Sequence, residues 1–325
     1  MTTTTPQPFY LDCDTGIDDS LAIAYLLASP EVELAGIGTV SGNVSAAVGA
    51  SNTLNLLHAA GRTGIPVAVG AHDPLTGTFD GGAPHVHGHN GIGGITLGES
   101  GVETESETAA EMLVRLAHEY PGELRVIAVG PLTNLALALE LDPKLPALVR
   151  DVTIMGGAAF VRGNISPAAE ANIFNDAEAA AAVMDAAWPV TLVPLDVTMN
   201  HRFDETHRAA LAASAHPVAS ALSGMLDQYF AFYNTIFGER CAALHDPLAA
   251  AIAVGALELD DAPHVGITVD TSVGAGRGKT HCERFDGGAA NGWEVPERAS
   301  RVVLSVKGDA AAHLLERILS LPTAG

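Results

Sequence analysis

A chain of 325 residues, 48% apolar and 17% charged, has material for a sizeable core, which excludes a disordered protein. Its net charge of −22, with only Lys144, Lys279 and Lys307 as lysines, excludes non-specific nucleic-acid binding, because a phosphate backbone would be repelled. Cys13, Cys241 and Cys282 show no C-x-x-C spacing, so neither a disulfide framework nor a zinc site is implied and a cytoplasmic location is expected.

Residues 1–7 carry neither the basic nor the apolar region of a signal peptide and read as a frayed tail before a single domain spanning 8–322. The apolar run 9–13 reads as a strand. It ends in four acids within eight positions, Asp12, Asp14, Asp18 and Asp19, and an apolar helix pattern over 18–28 follows at once. A strand (34–40), a helix (46–60) and a short strand (65–69) come next. The glycine-rich stretch 72–102, with Pro84-His85-Val86-His87-Gly88-His89, reads as a loop too long to be a mere connection. Further strands are expected at 124–129, 152–155 and 190–195, and helices at 108–119, 132–139 and 177–187. Helices at 205–213 and 218–237 precede His245-Asp246-Pro247 and a helix over 248–254. Strands at 265–269 and 301–306 and a helix at 310–319 close the chain. No apolar stretch reaches membrane-spanning length without polar interruption, so no membrane partner is expected. Strand and helix alternate about every 30 residues over the first two-thirds of the chain, which implies βαβ units and a mostly parallel sheet flanked by helices, an α/β fold.

The acids after the first strand stand where open α/β sheets bind ligands. Packed together they repel unless a cation neutralises them, and an all-oxygen set suits Ca²⁺ or Mg²⁺. Each acid also has a structural reading. Asp18 or Asp19 could serve a helix N-terminus, yet one helix needs one cap. Asp12 and Asp14, if both lie on the strand, point to one face. His245-Asp246-Pro247 is also a common helix start. Gly42-Asn43 could be a turn, Met155-Gly156-Gly157 a strand end, and Asn164, Glu170 and Asn172 polar loop residues, the last two facing the same way if extended. Tyr229 and Tyr233 share a helix face, as core residues also do. His85 and His89 read as solvated.

Taken jointly, these segments resemble the inosine–uridine-preferring nucleoside hydrolase family. That family opens with D-x-D-P-G-x-D-D, and this chain reads Asp12-Cys13-Asp14-Thr15-Gly16-Ile17-Asp18-Asp19. The likeness continues through Thr39–Asn43 (TVSGN), His87-Gly88, Gly130–Asn134 (GPLTN), Met155-Gly156-Gly157, Asn164, Glu170-Ala171-Asn172 with Asp176, and His245-Asp246-Pro247. Thr15 departs from the family's usual proline. The resemblance implies a Rossmann-like nucleoside hydrolase fold and hydrolysis of a ribonucleoside to free base and ribose. It implies a buried Ca²⁺ held by Asp14, Asp19, Asp246 and the Val129 carbonyl, with two ribose hydroxyls and a water completing the shell and Asp12 orienting the loop behind. Asp14 would be the general base toward that water, through an oxocarbenium-like transition state. Asp18 and Asn43 would hold the 2′- and 3′-hydroxyls, and Asn164, Glu170 and Asn172 the 3′- and 5′-hydroxyls. Met155 would pack under the sugar. His245 would be the acid for the leaving base, with His87, Tyr229 and Tyr233 around it. A homodimer or homotetramer is expected from the same resemblance.

Two rival readings stand beside this one. A haloacid-dehalogenase-type phosphatase also opens with an apolar strand and D-x-D, with Asp12 as nucleophile and Asp14 as acid–base. Gly16 and the early Asp18-Asp19 depart from that pattern, and few lysines are available to bind phosphate. The same pocket could also bind a nucleoside or ribose without cleaving it.

Overall fold

The computed structural model describes residues 5–284 and 300–322, so residues 1–4 of the expected tail lie outside the described residues. Strands β1 (Gln7–Cys13), β2 (Val32–Thr39), β3 (Val67–Val69), β4 (Arg125–Ala128), β5 (Asp151–Met155) and β6 (Val190–Val193) form the parallel body of the sheet. Two short ribbons pair β7 (Arg202–Asp204) with β8 (Cys241–Ala243), and β9 (Leu259–Asp261) with β13 (Ser305–Val306). The sheet is completed by β10 (His264–Val269), β11 (Thr280–Arg284) and β12 (Ser300–Val302), in the order β11-β10-β12-β6-β5-β4-β1-β2-β3. Strand β10 runs antiparallel to both its neighbours, which makes the sheet mixed.

From β1 the chain first builds outward to β2 and β3, then returns to β4 and builds the other way. The reversal lies between β1 and β4, where parallel sheets open a crevice at the carboxyl ends of their strands. Strand β1 is buried on both faces, hence its unbroken apolar run. Phe9, Leu11 and Cys13 enter the core under the helices Ile17–Leu27, Pro217–Phe237 and His245–Val254. Tyr10 enters the opposite core with Met112, Leu113, Leu135 and Ala180. The helix Pro217–Phe237 starts with proline in its first turn, where the missing N–H is not needed, and stops at left-handed Gly238. Its buried Leu222, Met225, Leu226, Tyr229 and Tyr233 recur at helical spacing, which delivers both tyrosines to one face.

The expected elements appear, with shifted ends. The strand expected at 301–306 is two strands in different sheets. Val303 N–H donates to Leu192 O, and Leu304 N–H already turns to Asp261 O, so the chain changes partners there. The strand expected to reach 195 stops at Val193, because Pro194 has no N–H to continue the ladder, and a one-turn helix, Leu195–Thr198, follows. The helix expected at 248 begins at His245.

Close packing of β2 on β1 makes Gly38 a sensitive position. A Cβ there would lie 1.9 Å from the Tyr10 hydroxyl and 2.8 Å from Asp12 Oδ2. Gly38→Ala should cost about 1–3 kcal/mol of stability, read as a lower urea midpoint at unchanged m-value. An unchanged midpoint would contradict this packing.

Candidate active site

Strand β1 ends at Cys13, as the sequence pattern suggested, which frees Asp14 from the strand's alternation and lets Asp12 and Asp14 face different surroundings. Asp12 turns back beside Tyr10. Its carboxylate accepts from the Tyr10 hydroxyl (2.8 Å) and from Asn134 Nδ2 (3.0 Å), and burial raises its pKa to about 7. Asn134 also donates to Thr39 O and accepts from Ala71 N, so this knot ties the ends of β1, β2 and β3 to the helix Thr133–Leu141. Asp12 is thus closed off behind the crevice, which removes it as a phosphatase nucleophile.

The next residues fold around Asp19. Its two carboxylate oxygens accept the N–H groups of Asp14 (3.1 Å) and Gly16 (2.7 Å). A second loop, after β2, closes on the first: Asn43 N–H donates to Asp14 Oδ2 (2.7 Å) and Asn43 Nδ2 to Asp19 Oδ2 (3.1 Å). Gly42 permits this approach, since a Cβ there would stand 2.1 Å from Asp14 Oδ2. Thr15, in the family's proline position, is fixed by its hydroxyl, which meets Thr53 Oγ1 at 2.7 Å and Cys13 Sγ at 3.3 Å.

Into this frame the helix His245–Val254 brings Asp246. Leu244 occupies the cap position without a side-chain cap, so the Asp246 carboxylate is not used to start the helix. Carboxylate oxygens of Asp18, Asp19 and Asp246 lie within 4.8 Å of one another. Asp14 Oδ1 and Asp18 Oδ1 are buried with no hydrogen-bond partner among the described residues. Burial raises the pKa of Asp14, Asp18, Asp19 (to about 7) and Asp246, and neighbouring carboxylates push Asp14, Asp19 and Asp246 further. Orphaned, mutually repelling, all-oxygen donors fit a hard divalent cation, which would draw these groups back to their charged forms. The sequence reading placed Asp14 among the ligands and Asp18 on the sugar. In the structure Asp18 converges with Asp19 and Asp246, and Asp14 stands against Asp19. Val129 lies at the end of β4, where its N–H pairs with Asp12 O and its carbonyl accepts from Asn172 Nδ2 (2.9 Å), with a second lone pair left over.

Above the acids opens a cavity of about 600 Å³ whose wall includes Asp18, Asn43, His87, Val129, Met155, Asn164, Glu170, Asn172, Tyr229, Tyr233, His245 and Asp246. Glu170 is extended, but Asn172 is already helical, so the two do not alternate as along a strand. Glu170 caps the short helix Ala171–Asn175, accepting from Asn172 N and Ile173 N, and also from Gly157 N. Asn172 Nδ2 also reaches Met155 O (3.1 Å). Asn164 sits exposed at the mouth, its Oδ1 accepting from Ala171 N.

On the other wall, the long loop carries a one-turn helix, Pro84–His87. His87 Nδ1 accepts the Ile17 N–H at 3.1 Å, and burial, with His85 adding, pushes its pKa down to about 3. The ring is therefore neutral with its proton on Nε2, and its 3.9 Å approach to Asp18 Oδ1 is not an ion pair. The Tyr229 hydroxyl donates to Asp18 Oδ2 (2.9 Å). His245 Nε2 meets the Tyr233 hydroxyl at 2.5 Å and Nδ1 meets Thr198 Oγ1 at 2.8 Å, with burial lowering the ring's pKa. Sequence reasoning missed Tyr10 and Thr198. Tyr10 looks like any core aromatic, and a threonine ending a one-turn helix leaves no periodic or motif signal.

Fold and site together define an α/β protein with a buried group of carboxylates that could hold a cation at the sheet's switch point, beneath a cavity sized for a small polar ligand. The model of the inosine-uridine preferring nucleoside hydrolase family matches residues 9–312, and the chain belongs to that family. It is a nucleoside hydrolase acting on ribonucleosides. Uridine nucleosidase 1 of Arabidopsis thaliana is 38% identical over 243 residues, 75% of this chain and 72% of that protein. The pyrimidine-specific ribonucleoside hydrolase RihA of Citrobacter koseri is 36% identical over 245 residues, 75% of this chain and 78% of its own. Among solved structures, the plant nucleoside hydrolase PpNRh1 superposes with a TM-score of 0.90 at 31% identity, covering 98% of this chain and all of that one. The purine-preferring ribonucleoside hydrolase of Gardnerella vaginalis follows with a TM-score of 0.86 at 30% identity, covering 97% of this chain and 98% of that one. Among the described residues, no helix is long and apolar enough to cross a membrane.

If the acid group takes a divalent cation, Ca²⁺ added to chelator-treated protein should raise Tm. At 100 times Kd the added stability is about 2.7 kcal/mol. Asp246→Asn should flatten that response in a thermal melt. An equal rise in the variant, or none in the wild type, would contradict the site.

Proposed function

We propose that the protein is a Ca²⁺-dependent ribonucleoside N-ribohydrolase that cleaves uridine among its substrates. The observation that supports it most is the buried group Asp18, Asp19 and Asp246, with orphan oxygens on Asp14 and Asp18, at the floor of a nucleoside-sized cavity. Uridine is favoured by the names of the Arabidopsis thaliana and RihA relatives.

Asp14, Asp19, Asp246 and the Val129 carbonyl would hold the ion. When bound, Ca²⁺ supplies a water of lowered pKa and positions for two sugar hydroxyls. Asp14 Oδ1, without a hydrogen-bond partner among the described residues, accepts the proton of the attacking water as general base. Asp18 and Asn43 take the 2′- and 3′-hydroxyls. Asn164, Glu170 and Asn172 take the 3′- and 5′-hydroxyls, and Met155 packs under the ring. As the bond to the base breaks, positive charge grows on the sugar, and the surrounding carboxylates stabilise it without reorganising. His245, whose Nε2 meets the Tyr233 hydroxyl, acts on the departing base through Tyr233, with His87 and Tyr229 beside them, and supplies a proton or a strong hydrogen bond.

Reducing sugar should appear from uridine but hardly from 2′-deoxyuridine, since the missing hydroxyl leaves buried polar groups unpaired. Comparable rates on both would remove the diol from the account. Phosphate release from a generic phosphomonoester, with no sugar release, would favour the phosphatase reading instead. Tight uridine binding with no turnover over hours would mark a binder. Asp14→Asn should lower kcat on uridine by roughly 10²–10⁴-fold, the span of a lost general base, and near wild-type turnover would reject that assignment.

A further inference from the structure

Thr198 is fully buried at the end of the one-turn helix Leu195–Thr198, and it does not line the cavity. Its hydroxyl meets His245 Nδ1 at 2.8 Å, while the Tyr233 hydroxyl meets Nε2 at 2.5 Å on the other side of the ring. Both ring nitrogens are therefore engaged, one by a group behind the site and one by a group in its wall.

A neutral imidazole carries a single proton, so only two arrangements satisfy these bonds. In one, Thr198 O–H donates to Nδ1, Nε2–H donates to Tyr233 Oη, and the Tyr233 proton turns toward the cavity. In the other, Tyr233 O–H donates to Nε2 and Nδ1–H donates to Thr198 Oγ1, which leaves the Thr198 hydroxyl proton over. Among the described residues the Thr198 hydroxyl has only the one hydrogen bond, to His245, and no water reaches a group with no exposed surface. A buried hydroxyl proton without an acceptor is unfavourable, so the first arrangement wins.

We propose that Thr198 is a positioning residue: it holds His245 as the Nε2–H tautomer and points hydrogen-bond donation along Thr198, His245 and Tyr233 into the cavity, where the departing base gathers negative charge. This rests on the assignment of His245 to the leaving group. Each bond in such a chain polarises the next, so the direction set at Thr198 is felt at the far end.

Thr198→Val keeps the shape and deletes the hydroxyl. Its kcat on uridine should fall by about tenfold or more, part of the 10²–10⁴-fold worth of a general acid, with KM little changed. A p-nitrophenyl riboside, whose leaving group needs no assistance, should be cleaved at close to the wild-type rate. Thr198→Ser should restore uridine turnover, and ¹⁵N NMR of the wild-type enzyme should show the His245 proton on Nε2. Unchanged uridine turnover in the valine variant, equal loss on both substrates, a serine variant as impaired as valine, or a proton on Nδ1 would each overturn the proposal. If the valine variant does not fold, the serine variant and the wild-type spectrum still decide it. His245→Ala separates the two levels. If its loss is equal on both substrates, the assignment of His245 fails. If its loss is confined to uridine while Thr198→Val is silent, only the role of Thr198 fails.

Discussion

Carboxylates brought together out of water dominate this molecule. Asp14, Asp18, Asp19 and Asp246 are each buried, and their mutual repulsion adds to the cost of leaving solvent. A protein interior does not tolerate such a group unless it is protonated or neutralised. The surrounding hydrogen bonds satisfy only part of it: Asp19 is held by three N–H donors with a lone pair left on Oδ1, while among the described residues one oxygen on Asp14 and one on Asp18 have no partner. That uneven treatment is what an oxygen-seeking cation requires, with some donors fixed in place and others left facing a common point.

The rest of the fold can be understood as the means of holding that point still. Sheet reversal between β1 and β4 opens the crevice, and the Asp12–Tyr10–Asn134 knot locks the strand ends beneath it. Two loops close over one another through Asn43 and Gly42. A long helix contributes Tyr229 to Asp18 and Tyr233 to His245, so one wall of the cavity is tied to the acids at its floor. The opposite wall is organised by Glu170, whose carboxylate is gripped by three backbone N–H groups and thereby fixes Asn172 against Val129 and Met155. Cavity-facing groups on both sides therefore sit on braced elements, which is the condition for stabilising a transient charge.

Much of this was legible in the chain itself. The acids after β1 are adjacent in sequence, and an apolar strand running into them marks its own end. His245-Asp246-Pro247 stands at the head of an apolar helix, and Tyr229 and Tyr233 share a face by helical spacing alone. What could not be read depends on contacts between distant residues or on elements too short to show a period. Glu170 as a helix cap needs knowledge that a five-residue helix follows it, and β7 and β8 are three residues each. The partner that holds Asp12, Asn134, lies 122 residues away. Thr198 lies 47 residues from the histidine it touches and has no pattern of its own.

The claim beneath all of this is that the enclosed acids are a cation site and not merely a cluster of protonated side chains. An anomalous difference map from crystals grown with Ca²⁺ tests it directly. The account predicts one peak per chain, 2.3–2.6 Å (roughly the usual Ca²⁺–oxygen range) from oxygens of Asp14, Asp19 and Asp246 and from the Val129 carbonyl. A map with no peak there, and carboxylates drawn together by short hydrogen bonds to one another, would contradict it.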